Sequence, residues 1–252
     1  MIDRTGKAEA RLDMVLVERG FFESRSRARD AILRGTVSVN GAVLTKPGAP
    51  VGTEAALLVE DPARDYVSRS ALKLVAGLDR FGFDPSNRIC LDIGASTGGF
   101  TEVLLRRGAR QVVAIDVGHG QMHARLRDDP RVTVIEGLNA RDLGRAHIGQ
   151  HAIRCVVADV SFISLKLALP PALALAEAGS FALLLVKPQF EAGREAVGKT
   201  GIVEDEAVRL SVADDLRAWL DGQPGWRSLG IHPSPISGGD GNQEYLLGGV
   251  KR

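Results

Sequence analysis

Residues 89–100 read ICLDIGASTGGF. The branched apolar run Ile89 to Ile93 has the composition of a strand, and the glycines that follow turn the chain into a helix opening at Gly99. Such a turn aims backbone N–H groups from the positive helix end at a ligand, and glycine leaves room for the ligand to come close. The spacing departs from the G-x-G-x-x-G of dinucleotide enzymes, and no Lys-Ser/Thr pair closes the loop as in a phosphate-gripping nucleotide loop. Nicotinamide and ATP chemistry therefore fall in rank. Residues 112–116, VVAID, end a second strand in Asp116, at about the distance where an acid accepts hydrogen bonds from ribose hydroxyls. A cofactor with a ribose and no phosphate fits both features, and S-adenosylmethionine is the common one, with Asp92 expected near its ammonium side.

Outward from this point, helix and strand signals alternate. A helix is expected over 70–81, then the strand 89–93, helix 99–107, strand 112–116, a short helix at 121–127, strand 132–136 and strand 153–158. A helix over 167–177, a Gly-Ser break, strand 181–186, a long loop and helix 204–220 follow. The end of the chain differs, because strand 226–231, the turn run SGGDGN and strand 243–247 read as a hairpin. The pattern predicts an α/β fold with a largely parallel seven-stranded sheet and helices on both faces.

The first sixty residues are organised otherwise. Leu12, Val15 and Leu16 recur at helical spacing, Ser24 can cap a second helix running to Arg34, and Gly35 stops it. That second helix carries Arg25, Arg27, Arg29 and Arg34 against Asp30, so outward-facing guanidinium groups are available to phosphates. VSVNGAVL then places an Asn-Gly turn between alternating residues, a strong hairpin signal. A further strand at 56–59 and a mixed-charge, proline-bearing stretch close the segment. The division expected is a small α+β domain over 1–60, a linker over 61–67 and the α/β domain over 68–252. A module this small buries little core and suits a holding role.

RLDMVLVERGFFESRSRARDAILRGTVSVNG resembles the small αL RNA-binding motif named for a ribosomal small-subunit protein. That resemblance implies RNA contact by Arg11, Ser24, Arg25, Arg27 and Lys46, with Arg69 beyond the linker. The Asp-x-Gly turn followed by Asp116 resembles the class I, Rossmann-like methyltransferase fold. It implies that Asp92, Gly94, Ala95, Ser96, Gly98, Gly99, Phe100, Asp116 and Val117 hold the cofactor, with Asn139 near the adenine. Asp159 and Lys187 each follow an apolar strand, so both stand at the sheet edge where open α/β folds keep their sites. In that topology the last strand runs antiparallel and brings Glu244 to the same edge, while Lys73 leans in from the helix before the first strand. SRSALKL, ADVSF, LVKPQF and GNQEYLL resemble the Lys-Asp-Lys-Glu tetrad of FtsJ-related ribose 2′-hydroxyl methyltransferases, which makes Lys73, Asp159, Lys187 and Glu244 the implied catalytic set.

More narrowly, KPQFEAGREAVGKTGIV and PSPISGGDGNQEYLL resemble the TlyA, or haemolysin A-like, family of ribosomal RNA methyltransferases, and the likeness spans nearly the whole chain. It implies 2′-O-methylation of a ribose, a cytidine by the family's habit, with S-adenosylmethionine as cofactor and ribosomal RNA or a ribosomal subunit as partner. Lys187 is the candidate for orienting and deprotonating the ribose hydroxyl, or for stabilising the developing alkoxide. Ser70-Ala71 departs from the glycines that many relatives carry before the lysine, and His119 stands where a larger aromatic is expected. His119 and His123 have the spacing of metal ligands on a helix, but no third ligand is evident, so no metal is expected.

Bulk properties set the remaining bounds. With 252 residues, 44% hydrophobic and 25% charged, the composition is globular, and a formal net charge of +1 says nothing of a local basic face. Cys90 and Cys155 lie in strand-like apolar runs and are expected as buried thiols in a reducing, cytoplasmic setting. No apolar segment follows the initial charges, so no secretory signal is expected. The most apolar stretch, Leu167 to Val186, is interrupted by prolines, Glu177 and Gly179, which weighs against a membrane span and so against a cytolysin, the main alternative. A non-catalytic assembly factor is a second rival and a small-molecule methyltransferase, which would not need the N-terminal module, a third; the sequence leaves monomer and homodimer open.

Overall fold

The computed structural model describes residues 9–198 and 200–252. Between Asp65 and Tyr66 the chain divides into two compact units.

In the first unit, strand β1 (Glu9–Arg11), helices α1 (Leu12–Glu18) and α2 (Arg25–Leu33), and strands β2 (Val37–Val39), β3 (Ala42–Val43), β4 (Pro50–Gly52) and β5 (Leu57–Val59) enclose a small core. Leu12, Leu16, Ala28, Ala31, Ile32 and Val37 are its fully buried members. Asn40 and Gly41 both take positive φ, 50° and 84°, and join β2 to β3 in the tight turn expected of Asn-Gly. The β1–β4 pair was not legible, because three residues are too few to show a period of two. Residues 61–65, expected as the start of a linker, pack with this unit. Asp61 takes an ion pair from Arg34 at 2.8 Å, Ala63 is buried, and Arg27 donates to the carbonyls of Ala63 and Arg64.

The second unit runs α3 (Ala71–Phe81), β6 (Ile89–Ile93), α4 (Gly99–Arg106), β7 (Gln111–Asp116), α5 (Ala124–Arg127), β8 (Val132–Glu136), α6 (Arg145–Ile148) and β9 (Ile153–Ala158). It continues with α7 (Leu165–Ala168), α8 (Pro170–Leu175), β10 (Ala176–Val186), α9 (Pro188–Glu191), α10 (Glu206–Asp221), β11 (Trp226–Pro233) and β12 (Tyr245–Lys251). Seven strands form one sheet in the order β11-β12-β10-β9-β6-β7-β8. The five from β10 to β8 are parallel, and β12 and β11 add antiparallel at one edge. Strand order reverses between β6 and β9, and at such a switch point the two following loops part and leave a crevice.

The central strands are apolar on both faces because helices cover both. Along β6, Leu91 and Ile93 join one core, and Cys90 joins the other with Cys155, its cross-strand partner. Each fully buried aliphatic side chain of this kind contributes roughly 1.5–3 kcal/mol. α3 buries Leu74 and Leu78 and is ended by Gly82 in the left-handed conformation, φ +65°.

The helix expected over 167–177 is two short ones. Pro170 and Pro171 have no N–H to give the preceding turn, so α7 stops and α8 restarts with proline in its first turn. The Gly-Ser break appears inside the strand: β10 already pairs with β9 at Ala176, Gly179 takes φ +80°, and the ladder shifts register before Phe181. Among the described residues no helix is long and apolar enough to cross a membrane.

Candidate active site

The glycine turn is shaped by contacts that leave no space for a side chain at its first position. Gly94 takes φ +80°, its N–H donates to the Ile115 carbonyl at 2.8 Å, and a Cβ there would sit 2.6 Å from the Asp159 carbonyl oxygen. The turn is also tied to the second strand. Ser96 N and Gly118 N donate to the two oxygens of Asp116 at 2.8 and 2.7 Å, and Ser96 Oγ donates to Gln121 Oε1 at 2.9 Å. Each carboxylate oxygen keeps a further lone pair, so Asp116 can still accept from a ligand.

Beside Asp116 opens a cleft of about 750 Å³, bounded by Gly94, Ser96, Val117, Leu138 and Asn139 on the β6–β8 side and by Asp159 and Ile163 on the other. Among the described residues its charged lining is Asp116, Asp159 and Arg141. Two acids against one arginine suit a cationic ligand and offer little to a polyphosphate, while Val117, Leu138 and Ile163 supply apolar walls for a ring. Asn139 Oδ1 accepts from Arg141 N at 3.1 Å, so the amide offers the cleft its N–H donors. His123 caps α5, accepting from Arg125 N, and His119 lies over Gly137.

The other expected ligand residues sit differently. Ala95 and Phe100 line a smaller adjoining pocket, and Gly98, at φ +96°, lets the chain enter α4. Asp92, expected beside the ammonium of the cofactor, is wholly buried beneath the turn and lies outside the cleft lining. Thr101 Oγ1 donates to its Oδ2 at 2.6 Å and Oδ1 has no partner. Burial, aided by the charges of Asp159 and Asp116, pushes its carboxyl up to about 7 against the opposing Thr101 bond.

This has a measurable consequence. Below pH 4 the group is protonated whether the chain is folded or not. As pH rises toward 7 the unfolded chain gives up the proton and the folded one keeps it, so folding weakens across that window and levels off above it. Asp92→Asn keeps an acceptor for Thr101 and removes the titration. Its stability relative to wild type is expected to grow between pH 4 and 7, by on the order of a few kcal/mol, in urea unfolding. Parallel curves for the two proteins would show that Asp92 ionises normally.

The four charged residues from distant parts of the chain form two ion pairs. Lys73 Nζ on α3 lies 2.5 Å from Glu244 Oε2, and both residues are almost fully buried, 5% and 2% exposed. Lys187 Nζ lies 2.6 Å from Asp159 Oδ1, a charge contact off the hydrogen-bonding angle, and donates to Ser161 Oγ at 2.8 Å. Strand register explains the meeting: Val186 pairs with Tyr245, so Lys187 and Glu244 leave neighbouring strands at the same end. Lys187 and Asp159 line the smaller pocket, of about 180 Å³, which shares Gly94, Ser96, Asp159 and Ser161 with the cleft. The Lys73–Glu244 pair stays behind that surface.

Residues that sequence reasoning passed over hold this edge together. Asn242 is buried, accepting from Val203 N and donating to the Gly201 carbonyl, and so joins the loop after Lys187 to the turn before Glu244. Gly238 lies where a Cβ would be 2.7 Å from Glu244 Oε1. Glu102, also buried, accepts from Val67 N at 2.7 Å and pairs with Arg106 and Arg125. The available signal was an amide or acid inside an otherwise apolar or glycine-rich run.

In the first unit, Arg11 and Arg25 both reach Asp13 at 3.0 Å, and Arg11 first, then Arg25, hold that carboxyl at about 2 against burial. Their own side chains stay about half exposed, 49% and 57%. Ser24 caps α2, accepting from Arg27 N, and Lys46 is exposed. Arg69, in the second unit, is half-buried, with a Cβ at Gly239 falling 3.5 Å from its Nη2.

A reversing parallel sheet, a glycine turn after its first strand, an acid after its second and an antiparallel pair at the edge define a class I methyltransferase. The chain belongs to the FtsJ-like methyltransferase family, whose model matches residues 66–251. A model of the S4 domain matches residues 10–57. The chain is 46% identical over 243 residues to the 16S/23S rRNA (cytidine-2′-O)-methyltransferase TlyA of Mycobacterium tuberculosis, covering 94% of this chain and 88% of that protein. It is 40% identical to a protein named Hemolysin A from Brachyspira hyodysenteriae, covering 94% and 98%. Among solved structures, a candidate hemolysin from Streptococcus thermophilus superposes with a TM-score of 0.75 at 38% identity, covering 96% of this chain and 88% of that one.

Proposed function

We propose that this protein transfers a methyl group from S-adenosylmethionine to the 2′-hydroxyl of a cytidine ribose in ribosomal RNA. The observation that carries this is the Lys187–Asp159 pair standing in a small pocket that shares a wall with the acid-lined cleft. Asp116 is the acceptor for the cofactor's ribose hydroxyls, Asn139 and the apolar walls hold its adenine, and the turn from Gly94 to Ser96 meets its amino-acid end. The cofactor supplies an electrophilic methyl on a sulfonium, so the protein has only to bring an oxygen nucleophile into line and manage its proton. Lys187 orients the hydroxyl and takes or balances its proton, Asp159 holds Lys187, and the neutral Lys73–Glu244 pair sets a fixed dipole behind them.

Ribosomal RNA as the substrate is supported by the S4 match and by the M. tuberculosis relative, and a ribosomal substrate favours a cytoplasmic enzyme. Ribosomal subunits incubated with the protein and tritiated S-adenosylmethionine are expected to gain label at a ribose, located by mapping the position that resists alkaline cleavage. Label found on a base, or none on either subunit, would refute the assignment.

The arginine-rich helix α2 has a separate expected outcome. Arg25 and Arg29 are exposed, whereas Arg27 is spent on the carbonyls of Ala63 and Arg64. Replacing Arg25 and Arg29 by Ala removes two phosphate contacts, so RNA affinity falls and the slope of log affinity against log salt flattens by roughly two. A salt titration with an unchanged slope would place the RNA elsewhere.

A further inference from the structure

Lys187 is a flexible four-carbon stem with an ammonium that donates three hydrogens, so an amine held by one partner can swing about it. The structure supplies two partners, Asp159 Oδ1 at 2.6 Å and Ser161 Oγ at 2.8 Å. Ser161 belongs to no part of the Lys-Asp-Lys-Glu set. It is nevertheless one of the four residues common to the cleft and the smaller pocket, which puts its hydroxyl on the wall where the two spaces meet. On its N-terminal side the backbone is held by Val160, which packs in the core. A hydroxyl also directs the amine without adding a charge, whereas a second carboxylate would stand beside Asp159 and repel it.

We propose that Ser161 is a positioning residue for methyl transfer: its hydroxyl aims Lys187 Nζ at the boundary between the cofactor cleft and the substrate pocket. This rests on Lys187 being the amine that handles the ribose hydroxyl. Two features follow from it. The contribution belongs to the oxygen, since a side chain of the same shape without one cannot accept the bond. It also belongs to the transfer step, since the change leaves Asp116, Asn139 and the turn from Gly94 to Ser96, the groups assigned to the cofactor, untouched.

The test compares Ser161→Thr with Ser161→Val, which differ by a hydroxyl against a methyl, and adds Ser161→Ala. Single-turnover transfer to ribosomal subunits is measured alongside S-adenosylmethionine affinity and the KM for RNA. Thr is expected to remain within about threefold of wild type, and Val and Ala to lose about tenfold to a hundredfold in rate with cofactor affinity and KM nearly unchanged. Val as fast as Thr overturns the proposal, as do Thr and Val equally slow, which would assign the role to size, or a loss confined to KM. Lys187→Ala separates the two levels. If it is inactive while Ser161→Val is fully active, the Ser161 assignment alone fails. If Lys187→Ala stays active, the assignment beneath it fails as well.

Discussion

Lys187→Ala should slow methyl transfer by about 10²–10⁴-fold, the range that a positioned proton-transfer group contributes, while the affinities for S-adenosylmethionine and RNA stay near wild type. The separation is expected because Lys187 lies in the smaller pocket and is absent from the walls of the cofactor cleft. Removing it takes nothing from the surfaces that bind the cofactor, and it leaves Asp159 partly exposed, where water can solvate the unpaired acid. Lys187→Arg refines the result. Arginine keeps the positive charge but does not give up a proton near neutral pH. Substantial activity in the arginine variant would make the role electrostatic, and none would favour proton removal by the lysine. An alanine variant with wild-type rate would remove Lys187 from the chemistry altogether.

A second large effect concerns stability. Lys73 and Glu244 form a pair that solvent scarcely reaches, so Glu244→Leu strands a buried ammonium, at a cost of about 3–5 kcal/mol. Lys73→Met combined with Glu244→Leu removes both charges and fills the space with apolar atoms. The double variant is expected to recover most of that loss in urea unfolding and still to transfer no methyl group. Such a split would show the pair retained for the field it sets and not for folding. A Glu244→Leu protein as stable as wild type would mean that water reaches the pair in solution.

The sheet was readable because its physics is local. Strand β6 with its glycine turn, Asp116 at the end of β7 and the apolar β9 and β10 all announce themselves in a few consecutive residues. The Asn-Gly hairpin and the Ser24 cap were legible for the same reason, each being a short motif that satisfies its own backbone groups. Where two local signals competed, the outcome was less clear. The apolar run before β10 suggested one helix, and the two prolines made it two, with the strand starting five residues before its strongest signal.

Charged residues were harder to place, because a side chain's partner is set by what the fold brings near it. Composition could mark Arg27 as basic, but its bonds to the carbonyls of Ala63 and Arg64 appear only once the chain has folded back on α2. The sequence pattern likewise placed Asp92 at the turn, and only the packing of α4 against β6 turned it inward to Thr101.

The amino-acid sequence alone therefore determined the order of strands and helices, the turn that makes the cleft and the placing of Asp159, Lys187 and Glu244 at one sheet edge. Each of these depends on chain neighbours or on a topology that the alternation already implies. Tertiary structure alone decided the pairing, Lys73 with Glu244 and Lys187 with Asp159 and Ser161. Those partners stand up to 171 positions apart, and a hydrogen bond acts over about 3 Å, a distance that only the register of β10 against β12 and β9 can set.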